Sequence, residues 1–464
     1  IAPATILFYK KDNKENNSKN NIIKHISLKR NIFFETFKLM VIEKYDVKEI
    51  SQNYFVNDDW LWKVLVYGNI LDYYFIKRLK NNKSIYEYIS DKKEFLFGKG
   101  ISVGGGDKNL IDEHRKISYS INSKQKGLKP FLIDYTLNFL SGLDFVHRPR
   151  KIDLFKSPIL LVGKGVSNDF KLKSSISPYD VIYTDAITGI KPLTDKAQEI
   201  IHLLEVLFNS KLFSYFLVNT NSSIGIEREQ SHDREDKFSI PLIITEDLNI
   251  LKTNIKELKE LLKKIEEKDF ETFDKQTMVK RVLVLQNTLE KILLKLYGIS
   301  SQEQSLIDYT NNITIPLLKG QESQSKKIIS KLNYESSVLE EYAQIFIDHF
   351  SKRFNSNGHF FEIEIIFSNH SILMKFKIIP QPSKYNDCIK WSKDENKNLL
   401  ITLAKLGFEN VSDSLYLQKD IKGLEEDYFY IAKPNQYKSW HPASAYLDLS
   451  EFIEAFFKIS TEKM

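Results

Sequence analysis

The chain has 464 residues, 42% hydrophobic and 12% aromatic, enough apolar material for about two to four separate cores. Lys and Arg total 67 against 61 Asp and Glu, and the resulting net charge of +6 permits a polyanionic partner without requiring one. A single cysteine, Cys388, excludes an internal disulfide framework and a cysteine-rich zinc site, and the nine histidines show no HxxxH spacing. No apolar run approaches the ~18 residues of a spanning helix, so no membrane partner is expected and the reducing cytoplasm is the expected compartment.

In chain order, residues 6–9 form a strand-like apolar run, and the Lys/Asn-rich segment 10–21 suits a solvated loop or linker. Residues 48–79 turn helical, with Leu61, Leu65, Ile70, Leu71 and Phe75 mostly at helical spacing; Trp60 and Trp62 before them are expected to pack rather than stack on bases. From 98 to 241 the texture changes to short β-prone runs, such as 158–162 and 181–183, punctuated by Gly, Pro, Asn and Asp. That pattern predicts a compact mixed α/β module whose loops carry recognition residues. Two long helices follow. Leu248, Leu251, Ile255, Leu258, Leu262 and Ile265 make one narrow apolar seam, and Met278, Val282, Leu285, Leu289, Ile292 and Leu296 make a second. An antiparallel helical hairpin is predicted, serving either as a spacer or dimer arm or as an ordinary helical pair packed on its own domain. Beyond Asp308 the pattern predicts a helix over 339–354, alternating strands over 361–367 and 372–379 joined by Ser368-Asn369-His370, and a helix over 449–457. This is an α+β domain without an assigned role.

Residues 207–241 read as a short helix, a polar turn with a charged run, and an apolar exit. Their elements are Asn209-Ser210-Lys211-Leu212, Ser222-Ser223, Glu227-Arg228 and Ile240-Pro241-Leu242. The segment resembles the end of a target recognition domain in an adenine-specific N6 DNA methyltransferase of the restriction-modification type. LEKILLKLYGISSQEQSLID (289–308) is similar to the element that closes many single-chain members of that family. GKGISVG (98–104) resembles the Gly-rich entry of the recognition domain, and FVHRPRKIDLFKSPILL (145–161) its central basic-then-strand element. The resemblance implies that the chain reads double-stranded DNA, and that S-adenosylmethionine serves the full-length parent.

That family's chemistry needs a Gly-rich turn for the cofactor and an Asn-Pro-Pro-Tyr-type loop for a flipped adenine. Neither is found: Asn57-Asp58-Asp59-Trp60 lacks the prolines, and 98–106 lacks a fingerprint-type strand before it and any Gly-Lys-Ser/Thr. With an opening that looks like the late strands of a methyltransferase domain, the chain is expected to be the C-terminal part of a longer enzyme. No catalytic, metal or cofactor site is expected within it. The expected architecture is a mixed α/β multidomain chain. It divides into the end of a methyltransferase-like domain with a polar linker (1–22), a helical connector (23–97), an α/β target recognition domain (98–245), an antiparallel helical hairpin (246–310) and a C-terminal α+β domain (311–464).

Sequence readers need cations for phosphates and planar donors for base edges, and Arg suits the second task because its fork bonds guanine O6 and N7 together. The expected DNA-binding residues are therefore Arg148, Arg150, Lys151, Lys164, Lys171, Lys173 and Lys191, with Arg228 and Arg234 where the recognition domain ends. A solvated basic turn is the competing reading of 147–151, and loop-pinning that of Glu227-Arg228. Glu362, Glu364, Lys375 and Lys377 suggest a nuclease as a minor alternative, although their spacing suits the solvated face of a hairpin better. Lys433-Pro434-Asn435 with Trp440-His441 is unusual, but a lone His without a nucleophile is more often structural. The alternative function is a non-catalytic DNA-binding or assembly subunit that recruits a separate enzyme or self-associates through the hairpin or the C-terminal domain.

Overall fold

The structure of the protein, a computed structural model, describes residues 8–9, 21–27, 47–104, 109–121, 127–221, 224, 237–244, 248–266, 272–319, 327–355, 358–380, 387–393, 421–425 and 428–462. Its contacts divide the chain into two units: Ile1–Phe8 with Tyr67–Ile307, and Tyr9–Val66 with Asp308–Met464. Each contains both helices and sheet, so the fold is mixed α/β and multidomain.

The first unit is built on four antiparallel strands, β1 (Phe95–Lys99), β2 (Ile159–Val166), β3 (Leu172–Ser177) and β4 (Ile187–Pro192), in the order β3-β2-β4-β1. β2 is covered on both faces, which is why it reads as an unbroken apolar run rather than an alternating one. Ile159, Leu161 and Ile187 join a core made with the short strands and turns of 101–155. Ser174 and Ile176, which pair with Val162 and Leu160, face the opposite way, toward helix α2 (Asp195–Phe208). There Glu205 accepts the Ile176 N–H at 2.9 Å, and Asn209 Nδ2 donates to the Ser174 carbonyl at 3.1 Å.

The Asn209-Ser210-Lys211-Leu212 stretch is a joint between two helices. Asn209 closes α2, and Ser210 Oγ caps α3 (Lys211–Thr220) by accepting the Phe213 N–H at 3.1 Å. Ahead of them helix α1 (Ile70–Lys80) starts on a capping box made by Asn69 and Asp72, and Asp72 also accepts the buried Tyr215 hydroxyl at 2.8 Å. Helices α4 (Asn249–Glu266) and α5 (Thr272–Leu296) form the expected hairpin, with Leu251, Ile255, Leu258, Val282, Leu285 and Leu289 buried. Glu257 and Arg281, equally far from the connection, meet at 2.8 Å, which makes the pair antiparallel. The hairpin is tied to the sheet by Lys259, whose ammonium lies 2.7 Å from the fully buried Glu205 carboxylate.

The second unit holds a five-stranded mixed sheet. Strands β5 (His359–Phe367), β6 (Ser371–Pro380), β7 (Ile389–Lys393), β8 (Ile421–Leu424) and β9 (Tyr428–Pro434) run in the order β7-β5-β6-β9-β8, with only β7 and β5 parallel. Alternate residues Phe361, Ile363, Ile365, Met374, Phe376, Phe429 and Ile431 form one core with helices α6 (Ser337–Asn355) and α7 (Pro442–Glu462). On the other face Glu364 meets Lys377 at 2.5 Å and Glu362 meets Lys390 at 2.5 Å, so both carboxylates of the nuclease alternative are occupied by lysines.

The segment expected to be a helical connector also contains two strands, since Val47–Ser51 pairs antiparallel with Ile22–Ile26. The helical stretch after it is interrupted at Gly68-Asn69, because the Asn69 cap restarts the helix. Of the apolar run 6–9, only Phe8 and Tyr9 lie within the described residues; both are exposed and in no strand. Trp62 packs on Phe55 at 4.2 Å between ring centres.

Helix α7 begins earlier than its apolar pattern suggested because His441 acts as its cap, Nδ1 accepting the Ala443 N–H at 3.2 Å. Tyr309 and Tyr437 meet the imidazole edge-on, and burial pushes its pKa down to about 4 from 6.5. The folded protein therefore resists protonation that the unfolded chain accepts. His441 contributes stability that is complete above pH ~6.5 and is lost as the pH falls toward 4, by up to about 3 kcal/mol. Urea unfolding of wild type and His441→Asn, which keeps a capping acceptor but does not titrate, should show the variant losing less stability between pH 6.5 and 4. Parallel pH profiles would refute the assignment.

Candidate nucleic-acid interface

β1 and β2 finish, and β3 and β4 begin, at one end of the four-stranded sheet. Across that rim Leu172 pairs with Val166, Gly163 with Ile187, and Thr188 with Lys99. Lys164 stands on it, its backbone N–H donating to Ala186 at 2.9 Å. Lys171 and Lys173 lie at the start of β3. The basic loop reaches the same end from the other side. Arg148 forms an antiparallel bridge with Ser102, with N–H to carbonyl distances of 3.1 and 3.2 Å, and Arg150 Nε donates to the Gly100 carbonyl at 3.3 Å. Gly100 itself extends β1, donating to Ile187 at 3.1 Å. Tertiary structure thus assembles Arg148, Arg150, Lys151, Lys164, Lys171 and Lys173 from three separate parts of the sequence along one rim.

The cations of this rim are not equivalent. Arg148, Lys151 and Lys164 are exposed, and among the described residues their side chains meet no ion-pair or hydrogen-bond partner. Lys171 is paired with Asp169 at 3.0 Å, and Asp185 also stands on the rim, so the patch is basic but not uniformly so. Lys191 is elsewhere. It pairs with Leu96 at the opposite end of the sheet, where its ammonium donates to the carbonyls of Lys156 and Ser157 at 3.1 and 3.3 Å, and burial lowers its pKa. Glu227, Arg228 and Arg234, with Ser222-Ser223, lie outside the described residues.

Core side chains hold the Arg loop in place. The Nε2 of His114, buried beneath the loop, lies 3.1 Å from the Arg150 carbonyl, and burial lowers the pKa of this imidazole and so keeps it neutral, with its proton on Nε2 facing that oxygen. Asn138 fixes the turn carrying His114 by donating to the carbonyls of His114 at 2.9 Å and Ile117 at 2.6 Å. Arg150 adopts φ +67°, a left-handed backbone unfavourable for a residue with a Cβ. Gly100 has no room for a side chain, since a Cβ there would stand 2.2 Å from the Tyr183 carbonyl and 2.5 Å from that of Thr184. Its neighbours Ile101 and Tyr183 are joined by a 2.8 Å hydrogen bond, which brings the two backbones this close.

Three contributors to the rim were missed in sequence. Lys99 sits inside the Gly98-Lys99-Gly100 motif and was legible there as a cation between two glycines. Lys237, almost fully buried with its ammonium on the Gly163 carbonyl, and His114 carry no sequence signal. Gly98 does lie in a strand, β1, but that strand is antiparallel to its neighbour, unlike the parallel strand of a dinucleotide fingerprint.

No protein-family model matches the chain, and no curated protein matches it. One solved structure to which it is similar is the Type IIL restriction-modification enzyme MmeI in complex with DNA, at 13% identity and a TM-score of 0.30, over 51% of this chain. The chain spans 36% of that protein's length.

If strain at Arg150 is maintained by the loop, Arg150→Gly should fold with little loss of stability, whereas Arg150→Val should be about 1–2 kcal/mol less stable than the glycine variant. Gly100→Ala should cost about 1–3 kcal/mol through overpacking against the Tyr183 and Thr184 backbone. Denaturant midpoints at constant slope measure all three. Equal stability of the Gly and Val variants would show that the left-handed conformation is not maintained in solution.

Proposed function

We propose that this chain reads duplex DNA as the specificity half of an N6-adenine DNA methyltransferase of a restriction-modification or phage-defence system. The observation that supports this most directly is the convergence of Arg148, Arg150, Lys151, Lys164, Lys171 and Lys173 on one rim. In this reading Lys151 and Lys164 neutralise phosphates and release their counterions, while Arg148, exposed and carried on a paired backbone, offers its fork to a base edge. Arg150, whose Nε is engaged by Gly100, shapes the loop more than it contacts DNA. In this reading the methyl transfer, its S-adenosylmethionine and the flipped adenine are the work of a separate catalytic half. A reading as a non-catalytic assembly subunit draws support from Val279, Leu283 and Val284, three exposed aliphatic residues on helix α5.

Binding of labelled duplexes, followed by fluorescence anisotropy over a salt series, tests the proposal. Affinity should fall with salt, and Arg148→Ala should weaken the cognate duplex by about 1–3 kcal/mol while flattening discrimination. Lys164→Ala should weaken cognate and random duplexes alike and reduce the salt slope by roughly one unit. Lys191→Ala, at the far end of the sheet, should change neither. If Lys191→Ala weakens binding as much as Lys164→Ala, the rim is not the interface. Calorimetric titration of the chain with S-adenosylmethionine should show no saturable micromolar binding, and its appearance would place a cofactor site in the chain after all.

A further inference from the structure

At the end of the sheet away from the basic rim, three tyrosines pack against one another. Ring centres lie 5.5 Å apart for Tyr119 and Tyr135, 5.4 Å for Tyr119 and Tyr179, and 5.6 Å for Tyr135 and Tyr179. Tyr135 is held by a 2.9 Å hydrogen bond shared with Ser177, and Ser177 Oγ also fixes the Tyr179 backbone, donating to its carbonyl at 2.7 Å and accepting its N–H at 3.2 Å. Yet Tyr119 remains 41% and Tyr179 52% exposed. Both line a cleft of about 460 Å³, within the range of small-molecule sites, together with Lys116, Ser118, Lys156 and Asp180. Lys156 is committed to Asp180 at 2.9 Å, and Asp180 also accepts the Ser157 N–H at 2.9 Å, so these two form a rigid wall. Lys116 is exposed, and among the described residues its ammonium meets no partner; Glu113 also lines the cleft.

We propose that this cleft binds an unpaired nucleotide, the base stacked on Tyr119 and Tyr179 and the phosphate held by Lys116. Two rings inclined at 45°, both packed against Tyr135, offer a base an apolar surface with part of the side-chain ordering already complete. Stacking tolerates any base, because every base has a π-face, and one exposed cation beside the platform suits a single phosphate. Ser118, which also lines the cleft, supplies a polar group beside the base. Duplex DNA does not fit this description, since its bases are stacked on each other. The site is therefore separate from the rim, and the two are separable by mutation.

Titration of the full chain with a labelled oligothymidylate, and separately with a mononucleotide, tests the inference and tells a strand from a free nucleotide. Wild type should bind at least one of them saturably. The Tyr119→Ala/Tyr179→Ala pair should weaken that binding by about tenfold or more. The Tyr119→Phe/Tyr179→Phe pair, which keeps the platform and controls for folding, should retain it. Lys116→Ala should weaken binding a few-fold and reduce its salt dependence. Loss of duplex binding in the rim variants with strand or nucleotide binding intact would separate the two sites. No saturable binding of either probe, equal binding by the Ala pair and wild type, or loss in the Phe pair equal to that in the Ala pair would overturn the inference.

Discussion

Burial of strand β2 on both faces is the constraint on which the first unit depends. Ile159 and Leu161 point into the core of the 101–155 module, and the alternate residues point toward helix α2. The sheet is therefore a central layer, and only its ends remain to carry polar chemistry. One end collects the basic residues and the other the tyrosines and Lys191. Functional candidates are placed by the exits of strands, not by the strands' faces.

Buried charge then ties the layers together. Glu205, fully buried, accepts from the β3 backbone and from Lys259 of helix α4, so one carboxylate links sheet, helix and hairpin. Loss of one partner in such an arrangement costs about 3–5 kcal/mol, since it leaves the other charge uncompensated. The second unit uses the same device. Asp448 lies between Lys433 and Lys422, the latter at 2.5 Å, and accepts the Tyr342 hydroxyl. Burial works against ionisation of Asp448, but the two lysines outweigh it and hold its pKa below the usual carboxylate range. Lys433 also faces the rings of Tyr342 and Trp440, and Asn435 clasps Leu332 through its side-chain oxygen at 2.8 Å. The Lys433-Pro434-Asn435 and Trp440-His441 cluster is thus the structural keystone of its unit.

The basic loop shows how a surface is shaped from beneath. His114, Asn138 and Gly100 make no exposed cation themselves, yet they set the height and turn of the chain carrying Arg148 and Arg150. A left-handed non-glycine residue at the loop apex means that the surrounding contacts outweigh the local preference of the backbone.

By itself the sequence determined the local elements. The period of Leu251, Ile255 and Leu258 predicted helix α4, the alternation of Phe361, Ile363 and Ile365 predicted a strand with one apolar face, and the Lys and Arg content of 145–173 marked a basic segment. Such patterns are legible because they depend on the spacing of side chains along one element. Tertiary structure alone decided that Arg148, Lys164 and Lys171 share a rim while Lys191 does not. That outcome rests on strand register, which pairs Gly163 with Ile187 and Lys191 with Leu96 across more than twenty residues of chain. Nor was the pairing of 22–26 with 47–51, the capping role of His441, or the meeting of Tyr119, Tyr135 and Tyr179 written in any local window. Each depends on contacts between residues distant in sequence, whose energies exist only once the layers have packed.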